Sequence, residues 1–292
     1  MTKSVWVFPG QGSQAVGMGE DLAAAAKDKF AEADDVLGWS VLGVCQSDEA
    51  KLADTLYTQP CLYVVECVLA DLLKEKNLQP DMVAGHSLGE YSALYTAGVF
   101  DFIAGLRLVK RRAELMSQAA EGAMAASMGF DRDELDAILA ATEGAVLAND
   151  NNPGQVVISG MPDAVETVMT GIKAKRAVKL NVSGAFHSPL MAPAAHEFDQ
   201  ILADLPFKDA TIPVMSNVDP TPSTDGDTLK RRLMQQMTGS VRWREISLSL
   251  PEQDIETVVE VGPGKVLAGL IKRTCRSLTL KNVGTLDQIE AV

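Results

Sequence analysis

Gly85-His86-Ser87-Leu88-Gly89 stands between the apolar run Met82-Val83-Ala84 and Glu90-Tyr91-Ser92-Ala93-Leu94, which has the composition of a helix start. A Gly-x-Ser-x-Gly pentapeptide between a strand and a helix predicts a nucleophile elbow. The tight turn needs residues without side chains on either side, and Gly85 and Gly89 supply them. Such a turn lifts the serine hydroxyl off the end of the sheet. It also brings main-chain N–H groups at the helix N-terminus beside it, where they can hold the oxygen of a tetrahedral intermediate. Patterns this short also arise in ordinary turns, so the weight of this one comes from its strand–turn–helix context. On that reading the fold is α/β, with a hydrolase-like core built on a parallel sheet, and Ser87 attacks an acyl carbonyl.

The chain outside the pentapeptide is compatible with such a fold. Its 292 residues, 47% hydrophobic and 22% charged, have the composition of a soluble globular protein. No apolar run is expected to reach the roughly 18 residues of a membrane span. The N-terminal apolar stretch ends at Pro9-Gly10, too short for a signal core, so a cytoplasmic location is expected. A net charge of −13 argues against a nucleic-acid partner. The four cysteines (Cys45, Cys61, Cys67 and Cys275) show neither C-x-x-C spacing nor paired histidines, so buried free thiols are expected rather than disulfides or zinc. Lys265, Lys272, Arg273, Arg276 and Lys281 gather near the C-terminus, as a solvated face or as a patch for an acidic or phosphate-bearing partner.

The elements read in order. Residues 3–8 form a strand, followed by the loop Pro9-Gly10-Gln11-Gly12-Ser13-Gln14, whose glycines match neither a P-loop nor a dinucleotide fingerprint. Helices are predicted over 21–37 and over 61–74 after Thr58-Gln59-Pro60, with a further long one over 102–120 carrying basic residues at 107 and 110–112. A change of composition follows. Strand 124–128, helix 131–142, strands 146–148 and 156–159 around an asparagine-rich loop at 149–155, helix 163–174 and strand 177–182 give β-α-β-β-α-β, the order of a ferredoxin-like unit. The expected organisation is a larger α/β subdomain (1–121 and 188–292) with a small ferredoxin-like subdomain inserted at 122–187. Helix 190–205, strand 212–216, helix 227–237, strand 258–261 and helix 266–275 complete the larger unit. No internal repeat or low-complexity segment interrupts it.

A serine nucleophile needs a base that titrates near neutrality, and the chain has three histidines. His86 lies inside the elbow and is expected to fill space. His196 falls in an alanine-rich helix, as a surface or packing residue. His187, in the loop Gly184-Ala185-Phe186-His187-Ser188-Pro189 after a strand, is the candidate base. No acidic residue stands out as a third member, which leaves a dyad whose imidazole is oriented by main-chain or amide oxygens.

Four motifs taken together resemble the malonyl-CoA:acyl-carrier-protein transacylase family: Pro9-Gly10-Gln11-Gly12-Ser13-Gln14, Gly85-His86-Ser87-Leu88-Gly89-Glu90-Tyr91, Val182-Ser183-Gly184-Ala185-Phe186-His187-Ser188-Pro189-Leu190-Met191, and Glu260-Val261-Gly262-Pro263-Gly264-Lys265-Val266-Leu267. They are in order, at family-like spacing, and span residues 4–276. The resemblance implies Ser87 as nucleophile, His187 as base, and the N–H groups of Gln11 and Leu88 as the oxyanion hole. It implies that the main-chain carbonyl of Gln236 orients the histidine. Arg112, 25 residues after Ser87, would bind the malonyl carboxylate. Without that spacing Arg111 and Arg112 would read as a solvated basic face. Asn152 before Pro153, and Ser127 in an apolar strand, depart from the family pattern. Phe186-His187 is the pairing that goes with malonyl rather than methylmalonyl in related polyketide acyltransferases.

The implied reaction carries malonyl from malonyl-CoA through malonyl-Ser87 to the phosphopantetheine thiol of holo acyl carrier protein, by a ping-pong route in bacterial fatty acid synthesis. It needs no metal and no organic cofactor, and a monomer is expected. The acidic carrier protein would dock on Lys175, Arg176 and Lys179 or on the C-terminal basic cluster. Three other readings stand beside it: malonyl loading for a polyketide pathway, a serine esterase or thioesterase, and a catalytically silent carrier-protein scaffold.

Overall fold

The computed structural model describes residues 2–119, 122–182 and 184–291. Nine strands lie among them: β1 (Lys3–Phe8), β2 (Met82–Gly85), β3 (Ala123–Met128), β4 (Ala145–Asn152), β5 (Gln155–Gly160), β6 (Arg176–Lys179), β7 (Val214–Met215), β8 (Ile255–Val261) and β9 (Thr279–Val283). They form two sheets. The larger has the order β7-β2-β1-β8-β9 and is parallel throughout. The α/β class with a parallel sheet is therefore as expected.

β1 sits at the centre of this sheet because both of its faces are apolar. Trp6 and Phe8 point into one core and Val5 and Val7 into another. Against the first face lies the helix Thr55–Glu75, buried on nearly every side. The expectation that no segment approaches a membrane span is corrected here. An 18-residue window of this helix has mean hydropathy 1.3, long and apolar enough to cross a bilayer, yet 78% of it is buried inside the molecule. It is a core helix, and a core helix enclosed on all sides is apolar for the same reason a membrane helix is. It also begins earlier than predicted. Asp54 caps it, its carboxylate accepting from Leu56 N at 2.9 Å, and Pro60 lies within rather than before it.

The second face is covered by helices Trp243–Glu252 and Val266–Thr274. The former was not anticipated, although Trp243, Ile246 and Leu250 mark one helical face. Also unanticipated were the short helices Val41–Cys45, Glu49–Ala53 and Leu286–Glu290, and β9 at the sheet edge. The predicted helix over 21–37 divides into a 3-10 turn, Glu20–Leu22, and a helix, Lys27–Leu37. The one over 190–205 divides at Ala192 into Pro189–Met191 and Ala192–Asp204. The helix predicted to reach residue 120 ends at Ser117, and Ala120 and Glu121 lie outside the described residues.

The smaller sheet is antiparallel, in the order β4-β5-β3-β6, with helices Arg132–Ala141 and Pro162–Gly171 packed on it. The asparagine-rich stretch is not a loop. β4 runs through Asn149, Asp150, Asn151 and Asn152, and only Pro153-Gly154 turns. Asparagine is a poor strand former, but partners fixed by the fold override that preference. Asp150 N donates to Val241 O at 2.9 Å and Val241 N to Ala148 O at 2.8 Å, tying β4 to the larger unit. Asp150 Oδ1 is 2.7 Å from Arg132 Nη2, and its Oδ2 is 2.8 Å from Arg244 Nε in the helix Trp243–Glu252. Of the two departures, Asn152 Oδ1 accepts from Gly154 N at 2.9 Å to close the hairpin, and Ser127 is fully buried with its hydroxyl unpaired. Cys45, Cys61 and Cys67 are buried free thiols, and Cys275 is partly exposed.

Candidate active site

β2 ends at Gly85 and the next helix begins at Gly89, so only His86, Ser87 and Leu88 make the turn between them. A Cβ on Gly85 would lie 1.9 Å from the carbonyl carbon of Gly89, and one on Gly89 would lie 2.0 Å from the main-chain oxygen of Phe8. Ser87 at its apex has φ +52°, a left-handed conformation that costs a non-glycine residue about 1 kcal/mol or more. Two side chains hold it there. Ser87 N donates to Asn217 Oδ1 at 2.7 Å, and Gln236 Nε2 donates to Ser87 O at 2.9 Å.

Ser87 Oγ is 2.8 Å from His187 Nε2. The other ring nitrogen, Nδ1, lies 2.9 Å from Gln236 O and 3.2 Å from Gly239 O. Two carbonyls can only accept, so Nδ1 carries the proton and Nε2 is free to accept from the serine hydroxyl. His187 is buried, and its pKa is pushed down to about 3, first by burial and next by the charge of Arg112. The imidazole is therefore neutral at physiological pH.

Arg112 is 1% exposed, while its neighbour Arg111 faces out and pairs with Glu114 and Glu197. The buried guanidinium donates from Nη1 to Gln59 Oε1 at 2.6 Å and from Nη2 to Ser87 Oγ and Gln236 Oε1, both at 3.0 Å. It lies 5.4 Å from the centre of the Tyr91 ring. Its Nε–H is buried without an acceptor. Burial lowers its pKa from the ordinary arginine value, but a guanidinium keeps its proton in proteins. A buried cation that lines the cavity beside a serine hydroxyl is suited to an anionic group on the acyl chain.

These groups open into a cavity of about 110 Å³, lined by Gln11, Leu88, Met116, Phe186 and others besides the three polar residues. The Gln11 side chain is anchored by donating to Thr55 Oγ1 at 3.0 Å. His86 does not join the site chemistry: its Nε2 meets Asn151 Oδ1 at 2.9 Å and its ring packs edge-on against Trp243. His196 is exposed on the helix Ala192–Asp204. Ser183, within the third motif, lies outside the described residues. Among the described residues no group of three or more His, Cys, Asp or Glu side chains is arranged to hold a metal ion.

Four participants were missed in the sequence: Gln59, Glu90, Asn217 and Gly239. Glu90, one turn after Ser87, is fully buried and accepts at Oε2 from Gln236 Nε2 at 2.7 Å and from Asn217 N at 3.2 Å. Its signal was a carboxylate on the helix that an elbow must bury. Gln59, Asn217 and Gly239 carry no local mark.

Residues 5–289 match the acyl transferase domain family. The chain is 59% identical to the malonyl CoA-acyl carrier protein transacylase of Synechocystis over 292 residues, which cover 99% of this chain and all of that one. It is 43% identical to the transacylase of the same name in Escherichia coli, over 96% of this chain and 95% of the relative. The crystal structure of the Synechocystis transacylase superposes with a TM-score of 0.98 over 99% of this chain and all of that one. A malonyl-transacylase solved in complex with a type II PKS acyl-carrier protein superposes with a TM-score of 0.95 at 37% identity, over 99% of this chain and 98% of that one.

Proposed function

This chain belongs to the acyl transferase family, and from that premise we infer that it moves a malonyl group from malonyl-CoA to the phosphopantetheine thiol of acyl carrier protein, supplying fatty acid synthesis. Relatives named for this transfer, similar over the whole chain, support the reading.

The route proceeds through Ser87. Its hydroxyl attacks the malonyl thioester carbonyl while His187 Nε2 takes the proton. The main-chain N–H groups of Gln11 and Leu88 receive the oxyanion, a contribution of about 3–4 kcal/mol for one such donor in a serine protease. The C–S bond breaks, CoA leaves as a thiol with the proton from His187, and malonyl-Ser87 remains. The carrier-protein thiol then attacks that ester, giving its proton to His187, which returns it to Ser87 as the C–O bond breaks. Gln236 O holds the imidazole in the tautomer this requires. A carbonyl stabilises the imidazolium less than a buried carboxylate would, and the thiols on both sides of the transfer ask for less basicity than an amine leaving group.

The observation that carries this reading is the convergence of Arg112 and His187 on Ser87 Oγ. A malonyl carboxylate offers the guanidinium charge-assisted hydrogen bonds of about 1.5–3 kcal/mol each, whereas an acetyl group leaves the cation without an anion. We read the parallel-sheet unit (1–121 and 188–292) as hydrolase-like and the unit at 122–187 as ferredoxin-like. The elbow geometry supports the first and the order β4-β5-β3-β6 the second. A cytoplasmic setting belongs to the same proposal and is supported by the free thiols. Lys175, Arg176, Lys272, Arg273 and Arg276 are exposed and available to an acidic carrier protein, while Lys179 already pairs with Glu166 at 2.6 Å.

Intact-mass analysis after mixing with malonyl-CoA tests the route. A malonyl adduct on Ser87 that discharges to holo carrier protein is expected. No adduct would favour a scaffold, and an adduct that discharges only to water would favour a thioesterase.

A further inference from the structure

Glu90 holds the elbow and both of its partners without reaching the cavity. A single carboxylate oxygen, Oε2, anchors the two residues that grip Ser87. Asn217 is held through its main-chain N–H, and its side chain then takes Ser87 N and donates from Nδ2 to Gly85 O at 2.5 Å. Gln236 is held through Nε2, which also donates to Ser87 O.

An amide has one donor end and one acceptor end, and a carboxylate or a main-chain carbonyl only accepts. Glu90 and Ser87 O therefore fix which way Gln236 faces: Nε2 toward them, Oε1 toward Arg112. In the flipped amide, Oε1 would face two acceptors and Nε2 would face the Arg112 donors. The main-chain carbonyl of this same residue receives His187 Nδ1–H. One glutamine thus serves the base through its main chain and the arginine through its side chain.

We propose that Glu90 is a positioning residue that orders the Ser87–His187 pair, which lacks a third acid, at one remove. It acts by fixing Gln236 and Asn217 and makes no contact with the imidazole. The inference rests on the roles given above to Ser87, His187 and Arg112. It sets Glu90 apart from a triad acid in two ways. Its contribution depends on accepting hydrogen bonds, so a neutral acceptor can replace it. It also reaches Arg112, so its loss changes which acyl group is preferred.

Malonyl and acetyl transfer to holo carrier protein, measured on folded variants, test this. Glu90→Met keeps the length and removes the acceptor. It is expected to lower kcat for malonyl by about tenfold or more, and the malonyl-over-acetyl ratio of kcat/KM by a similar factor, the scale of one lost hydrogen bond to a charged group. Glu90→Gln is expected to recover most of both losses. Gln236→Met leaves the main-chain carbonyl with His187 and should reproduce the loss of discrimination. The double variant should be no worse than the poorer single one, because both break one chain of contacts.

A merely structural glutamate would lower stability and leave the acyl ratio unmoved, and that result for Glu90→Met overturns the proposal. A Glu90→Gln variant as impaired as Glu90→Met also overturns it. Should Glu90→Met fail to fold, Gln236→Met carries the test, and an unchanged acyl ratio there is equally fatal. The malonyl adduct on Ser87 of the unaltered protein checks the underlying roles separately. Its absence would strike those roles, whereas its presence with an unmoved ratio strikes Glu90 alone.

Discussion

Arg112 Nη2 stands 3.0 Å from Ser87 Oγ, so the buried cation touches the same hydroxyl that donates to His187. On the proposed roles, recognition of the acyl group and activation of the serine share an atom. Arg112→Ala is expected to lower kcat/KM for malonyl-CoA by a factor of about 10²–10⁴, from two lost charge-assisted hydrogen bonds at roughly 1.5–3 kcal/mol each. Transfer of acetyl should be spared or increased. Steady-state rates with both thioesters check this, and survival of malonyl transfer would remove the arginine from the mechanism.

The histidine gives a pH prediction. Burial, and then the Arg112 charge, hold the His187 pKa at about 3. In the proposed route the neutral form is the base, and kcat/KM reports the free enzyme, so malonyl-CoA acylation should stay level from about pH 8 to about pH 5. In Arg112→Ala the acid limb should move upward, because one depressing charge is gone. A wild-type inflection near the ordinary imidazole value would mean that burial and the Arg112 charge do not depress His187 as described.

Stability follows the same group. The folded pKa lies below the unfolded value of about 6.5, so the unfolded chain binds the proton first as pH falls. The stabilisation is fully present above about pH 6.5 and is lost progressively toward pH 3, at up to about 1.4 kcal/mol per unit. Urea midpoints should fall more steeply over this window in the wild type than in His187→Gln. Equal slopes would show that His187 titrates alike in both states.

Two glycines should respond oppositely to alanine. A Cβ at Gly89 meets main chain at 2.0 Å, with no flexible atom to give way. Gly89→Ala should cost about 3 kcal/mol or more. Gly269, exposed within the helix Val266–Thr274, has nothing within 4 Å of its Cβ position. Gly269→Ala should stabilise by about 0.4–1 kcal/mol. Denaturation midpoints compare the two, and a tolerated Gly89→Ala would mean the elbow is less tightly packed than its distances require.

Asp150 ties the smaller sheet to the larger unit through Arg244 and pairs with Arg132 within its own unit, with its side chain 6% exposed and the arginines 28% and 30%. Its removal leaves two partly solvated cations, so Asp150→Ala should cost about 1–3 kcal/mol, below the figure for fully buried pairs. A double-mutant cycle with Arg244→Ala should give a coupling above about 0.5 kcal/mol. A coupling of zero would assign the attachment of the small sheet to its other ties, the Asn149–Val241 bridge and the His86–Asn151 hydrogen bond among them.

The sequence by itself determined the elbow, the parallel α/β architecture around it and the β-α-β-β-α-β order of the smaller sheet. Those features rest on local turn chemistry and on periodicity, which act between residues a few positions apart. It also singled out His187 by its loop, whereas Arg112 stood out only through its spacing in a recognised pattern, since a helix with four basic residues does not say which of them faces inward. Tertiary structure decided that. Arg111 turns to solvent and Arg112 is buried against Ser87 because one residue of helix is a rotation of about 100°. The asparagines of β4 became a strand, and Thr55–Glu75 a core helix, because partners distant in sequence satisfied the one and enclosed the other. The bracing of Ser87 by Asn217 and Gln236, which lie 130 and 149 residues away, has no local signature. A side-chain amide gains meaning only when folding brings a donor and an acceptor to its two ends.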